Sequence, residues 1–310
     1  MANFGPSSVS IGVMFIIDFP LFHGRFCLVS ETIMPMTHDF DPGYNRPPFR
    51  SLCKRYPGAE TYPIEDFRIE WGPIFHRGRL DGSARVVVIG QDPAAHESIA
   101  RRILVGEAGQ RVQAFLGRLG IVRSYVMVNT FLYSVYGQGG GSRHAEDPAI
   151  AEYRNKWLDA LMTENVEGVV AFGQLADKAY EQWVMTPNGK HFDGVAYATA
   201  RHPTYPVSAS ASGQKTKVEA TAEMLETWND ALSVLHPAVR HPDEERQLTL
   251  YGSTLRDDDV MEIPEIDLPA GTPEWMRSLR SWATRTGDDA DEKRASIQVR
   301  VPTDFQTWRD

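Results

Sequence analysis

The sequence of 310 residues contains very little cysteine. Cys27 and Cys53 are its only two cysteines, and they do not form a CxxC motif. Zinc sites and iron–sulphur clusters need several suitably spaced ligands, and disulfide frameworks need several paired cysteines. We therefore expect no metal centre and no disulfide framework, and we expect the reducing environment of a cytoplasmic protein.

The sequence also lacks a long hydrophobic run. The most apolar stretch near its start, IGVMFIIDFPLF, is interrupted by Asp18 and Pro20. A membrane span needs about 20 apolar residues, and a signal peptide needs a basic region before its apolar part. This stretch has neither, so we expect no membrane partner.

An excess of basic charge is absent as well, since the net charge is −9. Residues 241–310 hold 9 basic and 16 acidic side chains, so most of the negative charge lies at the C-terminal end. We divide the chain into an N-terminal segment of uncertain order (1–35), one domain (36–240) and an acidic, Pro-rich C-terminal extension (241–310) that docks on the domain. Because the domain is nearly neutral, an anionic partner is not excluded.

What the domain does contain is alternating apolar runs and helical patterns. Four runs read as buried strands: VVVIG (86–90), YVMVNT (125–130), GVVAFG (168–173) and GVAYATA (194–200). Helices are predicted over 109–119, from an N-cap at Asp147 to about Thr163, after Gly173, and over 215–235. The pattern predicts a single three-layer α/β/α domain with a central four-stranded parallel sheet.

Polar residues follow three of these strands. Asp92, Asn129 and His202 come at or just after strand ends, and the carboxyl ends of parallel strands form the binding crevice of such folds. Taken singly, each has a structural explanation as a turn, capping or loop residue. Together, without a nucleophile elbow, a G-x-G-x-x-G loop or metal-ligand spacing, they favour recognition of a flat polar heterocycle beside a carboxylate.

Four ordered segments resemble motifs of the uracil-DNA glycosylase superfamily. VVVIGQDP resembles the first motif of the main family, YVMVNTFL the strand with the uracil-reading Asn, and ARHPTYP the His-Pro-Ser motif. RRILVGEAGQRVQAFLGRLGI is similar instead to the iron–sulphur and related branches. The resemblance covers about residues 60–236 and identifies an atypical member with a main-family-like GQDP motif.

The resemblance implies a role for each residue of the crevice. Asp92 would stabilise the oxocarbenium-like sugar and orient or activate water, while the Gln91 backbone N–H would bond a uracil oxygen. Asn129 would match uracil N3–H and O4, and His202 would bond O2 as negative charge develops there. The base would first rotate out of the DNA stack, and no cofactor is implied.

The sequence departs from the family pattern at three places. Ala94 stands where the main family has a Tyr that blocks the 5-methyl group of thymine. Thymine must therefore be excluded by another residue, or its exclusion must be weaker. Leu104 stands where an aromatic ring normally stacks on uracil, so this stacking is lost unless another ring, such as Tyr136, supplies it. Tyr205 and Val207 are both candidates to fill the gap left by the flipped base.

The remaining predicted DNA contacts are basic side chains near the crevice. They are Arg101, Arg102, Arg143, His144 and Arg201. Each could instead be an ordinary solvated charge, although Arg143 lies in a glycine-rich segment, 137–146, that reads as a mobile loop. We expect a monomer that acts on single- or double-stranded uracil-containing DNA, with the acidic extension docked away from the DNA.

The function predicted from the resemblance is a monofunctional hydrolase that releases uracil and leaves an abasic site, the first step of base excision repair. A glycosylase for other deaminated or modified bases is an alternative, because Ala94 replaces the blocking Tyr. A catalytically weak protein that binds DNA damage is another, because Leu104 and the His motif are altered.

Overall fold

A five-stranded, mostly parallel sheet forms the centre of the structure, a computed structural model that describes residues 44–136, 140–289, 292–293 and 296–306. Its strands are β1 (Arg77–Gly78), β2 (Val86–Gly90), β3 (Tyr125–Asn129), β4 (Gly168–Phe172) and β5 (Ala196–Ala200). They lie in the order β1-β3-β2-β4-β5. The predicted N-terminal segment 1–35 lies outside the described residues.

The predicted sheet is confirmed in its four parallel strands and corrected in its strand number. β2 pairs with β3 and β4, and β4 with β5, all parallel. The fifth strand, β1, pairs antiparallel with β3 and contains only two residues. A two-residue strand shows no apolar run or alternation, so periodicity could not reveal it.

Side chains of the inner strands alternate between two hydrophobic clusters, one on each face of the sheet. Val88 lies in one cluster with Phe115 and Trp228. Ile89, the next residue of β2, lies in the other with Trp157. Strands buried on both faces have no polar side, which explains their nearly continuous apolar sequences.

Eight helices of the described residues surround this sheet. They are α1 (Phe49–Lys54), α2 (Ala95–Ala100), α3 (Glu107–Arg118), α4 (Gly140–His144), α5 (Pro148–Leu161), α6 (Gln174–Val184), α7 (Tyr205–Ala211) and α8 (Lys217–Leu235). The Asp147 side chain accepts hydrogen bonds from the first turn of α5, which confirms the predicted N-cap. Within the described part of the chain, no helix has the length and apolar character needed to cross a membrane.

Two local predictions differ from the structure. Residues 137–146 read as a loop, yet 140–144 form the short helix α4, because Arg143 and His144 both bind Asp66 and fix this turn. The helical pattern over 215–235 predicts that Val218 faces the core, but Val218 lies in the first turn of α8 and is 69% exposed. Contacts distant in sequence decide both positions, and a local pattern does not contain them.

Carboxylates of the C-terminal extension bind polar groups of the domain. Asp243 accepts from the backbone N–H groups of residues 122–124, Asp259 pairs with Arg118, and Asp267 accepts from Arg77, Arg79 and the Tyr125 hydroxyl. Asp267 and Arg77 are completely buried and 2.9 Å apart. Part of the extension's acidity is therefore compensated inside the fold and is not presented to solvent.

Candidate active site

The site is built on the turn that follows β2. Gln91 and Asp92 form this turn, and α2 begins at Ala95. The turn is tied to the next strand because Phe131 donates its N–H to the Gln91 carbonyl at 2.9 Å, and Val135 donates its N–H to Asp92 Oδ2 at 3.1 Å. The β3–α4 connection thus fixes the orientation of the Asp92 carboxylate.

Burial, together with the nearby Glu97 carboxylate, raises the pKa of Asp92 to about 6. The hydrogen bond from Val135 and the positive charges of Arg285 and Arg68 oppose this rise. Asp92 is consequently ionised at neutral pH, but its charge is poorly solvated. A carboxylate in this state is a stronger base than a surface carboxylate and suits proton abstraction from water.

Asn129 lies at the end of β3, directly beside Gly90 of β2. A Cβ added at Gly90 would overlap the Asn129 Oδ1 atom, so the glycine is what allows the carboxamide to lie there. Oδ1 is buried and has no hydrogen-bond partner among the described residues. An unsatisfied buried acceptor is costly, which makes Oδ1 a candidate to accept a hydrogen bond from a ligand.

Leu104 borders the same space. Its Cδ1 lies 3.7 Å from the position that a Gly90 Cβ would occupy. Its φ of 53° is in the left-handed region, which is uncommon for a residue other than glycine and typical of a position fixed by its surroundings. An apolar wall therefore stands beside the Asn129 carboxamide at the predicted stacking position. Ala94, at the start of α2, is exposed and has no bulky side chain to close this side.

His202 follows β5, at the same edge of the sheet. Thr204 donates its backbone N–H to His202 Nδ1 at 3.3 Å, and the Thr204 hydroxyl lies 2.8 Å from the same nitrogen. Burial lowers the pKa of His202 to about 4. The imidazole is therefore neutral at pH 7, and because Nδ1 accepts, we place its proton on Nε2. The result is a neutral hydrogen-bond donor.

The carboxyl edge of the sheet joins these residues. Gly173 has φ 94° and donates its N–H to the Ala200 carbonyl at 2.7 Å. A Cβ at Gly173 would lie 3.0 Å from the Gln91 side chain, so the ends of β2, β4 and β5 approach closely here. With Asn129 on the neighbouring strand, an amide, a carboxylate and an imidazole lie at the same edge of the sheet.

Two of the predicted DNA contacts point into the protein. Arg101 donates to the carbonyls of Trp71 and Pro73 at 2.7 and 2.6 Å. Arg102 is only 4% exposed and donates to the Arg101 carbonyl at 2.9 Å. The sequence suggested exposed charges, but a short helix ending in a left-handed residue turns both chains inward. As placed, Arg102 does not reach a bound phosphate.

The other predicted basic contacts remain at the surface and have acidic partners. Arg143 is 67% exposed and pairs with Asp66, and His144 Nε2 lies 2.8 Å from the same carboxylate. The His144 and Arg143 side chains hold the pKa of Asp66 below its usual range. The exposed Arg143 and the largely covered His144 form one polar cluster around Asp66.

Arg201 and Tyr205 converge on Glu223 of α8. The Arg201 guanidinium pairs with Glu223 and lies 4.3 Å from the Tyr205 ring centre, and the Tyr205 hydroxyl donates to Glu223 at 2.8 Å. Hydrogen bonds from Lys215 and Tyr205 hold the pKa of Glu223 at about 2. Val207 has no such contacts and is 54% exposed, so of the two candidates for filling the base gap it is the freer one.

Residues that the sequence analysis did not single out also surround Asp92. Arg68 is sandwiched between the rings of Trp71 and Tyr136, at 4.4 and 4.3 Å from their centres. This contact occupies a face of Tyr136, the ring considered as a replacement for stacking. Arg68 lies outside every recognised motif, so no sequence signal identified it. Among the described residues, no three His, Cys, Asp or Glu side chains gather as a metal site requires.

The C-terminal extension also reaches α2, beside the site. Trp282 and Ala283 donate their backbone N–H groups to His96 Nε2 at 3.3 and 3.2 Å, and the rings of Trp282 and His96 meet edge-on at 4.7 Å. Burial lowers the pKa of His96 to about 4, which keeps it a neutral acceptor. This segment lies next to the helix that follows Asp92.

Comparison with known proteins adds one match. Residues 77–240, more than half of the chain, match the family model of the uracil DNA glycosylase superfamily. The matched range contains β1 to β5 and every residue placed at the sheet edge above. A comparison with curated proteins returns no match.

Proposed function

Because the chain belongs to the uracil DNA glycosylase superfamily, a group of DNA glycosylases, we propose that it hydrolyses the N-glycosidic bond of deoxyuridine in DNA. The products are free uracil and an abasic site. The observation that carries the choice of base is the buried, unpartnered Asn129 Oδ1 beside Gly90.

The carboxamide of Asn129 offers one acceptor and one donor side by side. Uracil presents a matching N3–H donor and O4 acceptor, so its N3–H would satisfy the orphaned Oδ1 atom. Cytosine presents an unprotonated N3 and an amino group at the same positions and would leave two mismatches. A site that hydrogen-bonds its substrate rejects an analogue with the wrong pattern far more strongly than a purely apolar pocket does.

In the proposed reaction, water attacks C1′ of the flipped deoxyuridine as the C1′–N1 bond breaks. The bonding electrons leave with the base, and Asp92 takes the proton of the water while its charge stabilises the cationic sugar. His202 donates Nε2–H to O2, where negative charge accumulates on the departing uracil. The neutral imidazole stabilises this charge through a hydrogen bond and does not transfer its proton to the base, and Thr204 holds the tautomer with the proton on Nε2.

The experiment is incubation of the protein with single- and double-stranded oligonucleotides that carry one uracil, followed by alkaline cleavage at abasic sites. We expect cleavage at uracil by the wild-type protein and a loss of about 10²- to 10⁴-fold in kcat for Asp92→Asn. Asp304→Asn, which alters an exposed carboxylate far along the extension, is the matched control and should keep wild-type activity. Undiminished excision by Asp92→Asn would contradict the proposed mechanism.

Excision of thymine or another modified base is the second candidate function, and the exposed Ala94 favours it. No bulky side chain at this position blocks a 5-methyl group. The same assay with a thymine mismatch and with hypoxanthine separates the two candidates. Comparable rates on thymine and uracil would favour the broader activity, while cleavage at uracil alone would assign thymine exclusion to another wall of the pocket.

A further inference from the structure

One segment of the acidic extension is basic. Residues 275–286 contain three arginines and no acidic residue. Arg277 lies 3.9 Å from Glu274, and Arg280 pairs with Asp304 at 2.9 Å. Arg285 is exposed and forms no ion pair with a described residue. It is therefore a cation with no direct ion-pair partner among the described residues.

The backbone next to Arg285 is anchored beside the active site. Trp282 and Ala283 are buried and bind His96 through their N–H groups. Ala283 and Thr284 form β6 and pair with β7 (Gln298–Val299), so the chain leaves this anchor in a fixed direction. Two extended residues span about 7 Å, which keeps Arg285 near α2.

The charge of Arg285 acts on the candidate catalytic carboxylate. It lowers the pKa of Asp92 against the effect of burial. Asp92 would lie beneath C1′ of the reacting sugar, and a phosphate group flanks that sugar on each side. Together with the anchor at His96, this effect places Arg285 on the side of the fold that carries Asp92, where we expect the phosphates of a bound nucleotide to lie.

We propose that Arg285 binds the DNA phosphate next to the flipped nucleotide, so that the C-terminal extension forms part of the DNA interface. This inference rests on the proposed function. A guanidinium suits the role because its planar donors can bind two phosphate oxygens at once. It also supplies the positive charge that Arg101 and Arg102, turned into the protein, do not present.

The test is the salt dependence of DNA binding. Affinity for a duplex with a central tetrahydrofuran abasic analogue, which cannot be turned over, is measured by fluorescence anisotropy from 50 to 300 mM NaCl. Losing one phosphate contact lowers the slope of log K against log salt by about 1. We expect this change and a several-fold weaker affinity for Arg285→Ala, with partial recovery in Arg285→Lys. Arg280→Ala removes a paired arginine from the same segment and should keep the wild-type slope.

A second readout is the pH profile of uracil excision. Removing the positive charge in Arg285→Gln should shift the acid limb to higher pH, which a purely structural residue would not do. A wild-type slope in Arg285→Ala overturns the inference even if the pH profile moves, because the charge would then act on Asp92 alone. If the wild-type protein releases no base, the proposed function fails, while the salt slope still decides whether Arg285 contacts phosphate.

Discussion

Two aspartates, the half-buried Asp92 at the sheet edge and the completely buried Asp267 in the C-terminal extension, have opposite surroundings. Asp267 contacts two guanidiniums and a tyrosine hydroxyl. Asp92 accepts one hydrogen bond, from the Val135 backbone, and has the buried carboxylate of Glu97 nearby. The charge of Asp267, which joins the extension to the domain, is therefore fully compensated. The charge of Asp92, which is proposed to react, is poorly compensated.

A structural carboxylate and a reactive one differ here in how well their charge is compensated. Burial removes hydration from both carboxylates, but only Asp267 is compensated by direct contacts with guanidinium groups. The pKa of Asp92 stays raised, which lowers the stability of the fold at neutral pH but makes the carboxylate a stronger base for catalysis. Substitution of each residue should therefore move stability in opposite directions.

Asp267→Ala should produce the largest loss of stability. It leaves Arg77 buried without its partner, and breaking one side of a buried ion pair typically costs about 3–5 kcal/mol. Urea denaturation followed by tryptophan fluorescence measures the free energy of unfolding. Asp304→Ala removes the exposed partner of Arg280 and should cost at most about 0.5 kcal/mol. Equal effects of the two substitutions would remove the contrast between buried and exposed pairs.

Asp92→Asn should instead stabilise the protein. The pKa of Asp92 is raised in the fold from its ordinary value of 3.8 to about 6, so ionisation above pH 6 opposes folding. The neutral amide avoids this penalty, which corresponds to about 3 kcal/mol at pH 8. The gain should shrink as pH falls from 8 to 4.5, since the native carboxyl group then becomes protonated. A gain independent of pH would show that charge is not its cause.

The pH dependence of excision should show the smallest effect of the three. Because Asp92 must be ionised to act as a base, kcat/KM should rise with pH through about 6 and then level off. At pH 5 the rate should be about tenfold below the plateau. His202, with a pKa near 4, should add no limb above pH 5. A rate that stays flat down to pH 4.5 would mean that ionisation of Asp92 does not limit the reaction.

Much of the fold was readable from the sequence because its strands are buried on both faces. Continuous apolar runs gave the four parallel strands nearly to the residue, and Asp147 followed by Pro148 gave the start of α5. The two-residue strand β1 was not readable. Its position depends on pairing with β3, a contact between segments nearly 50 residues apart.

The site was less readable than the fold. Placement of Asp92, Asn129 and His202 at one edge follows from the parallel topology, so strand ends alone suggested it. The inward course of Arg102 and the contribution of Arg285 did not follow, because composition describes a segment's average charge and not the partner of each side chain. The basic segment 275–286 is hidden within an extension whose overall charge is acidic.

The aspartates of the extension also bear on where this protein could be cut. The family match ends at residue 240, but Asp243, Asp259 and Asp267 all lie beyond it. Truncation at residue 240 would remove the acceptor of three backbone N–H groups and leave buried guanidinium groups without counter-ions. We therefore expect the unit that folds independently to be longer than the stretch that matches the superfamily. Expression of residues 77–240 alone would leave buried arginines in the core without their carboxylate partners.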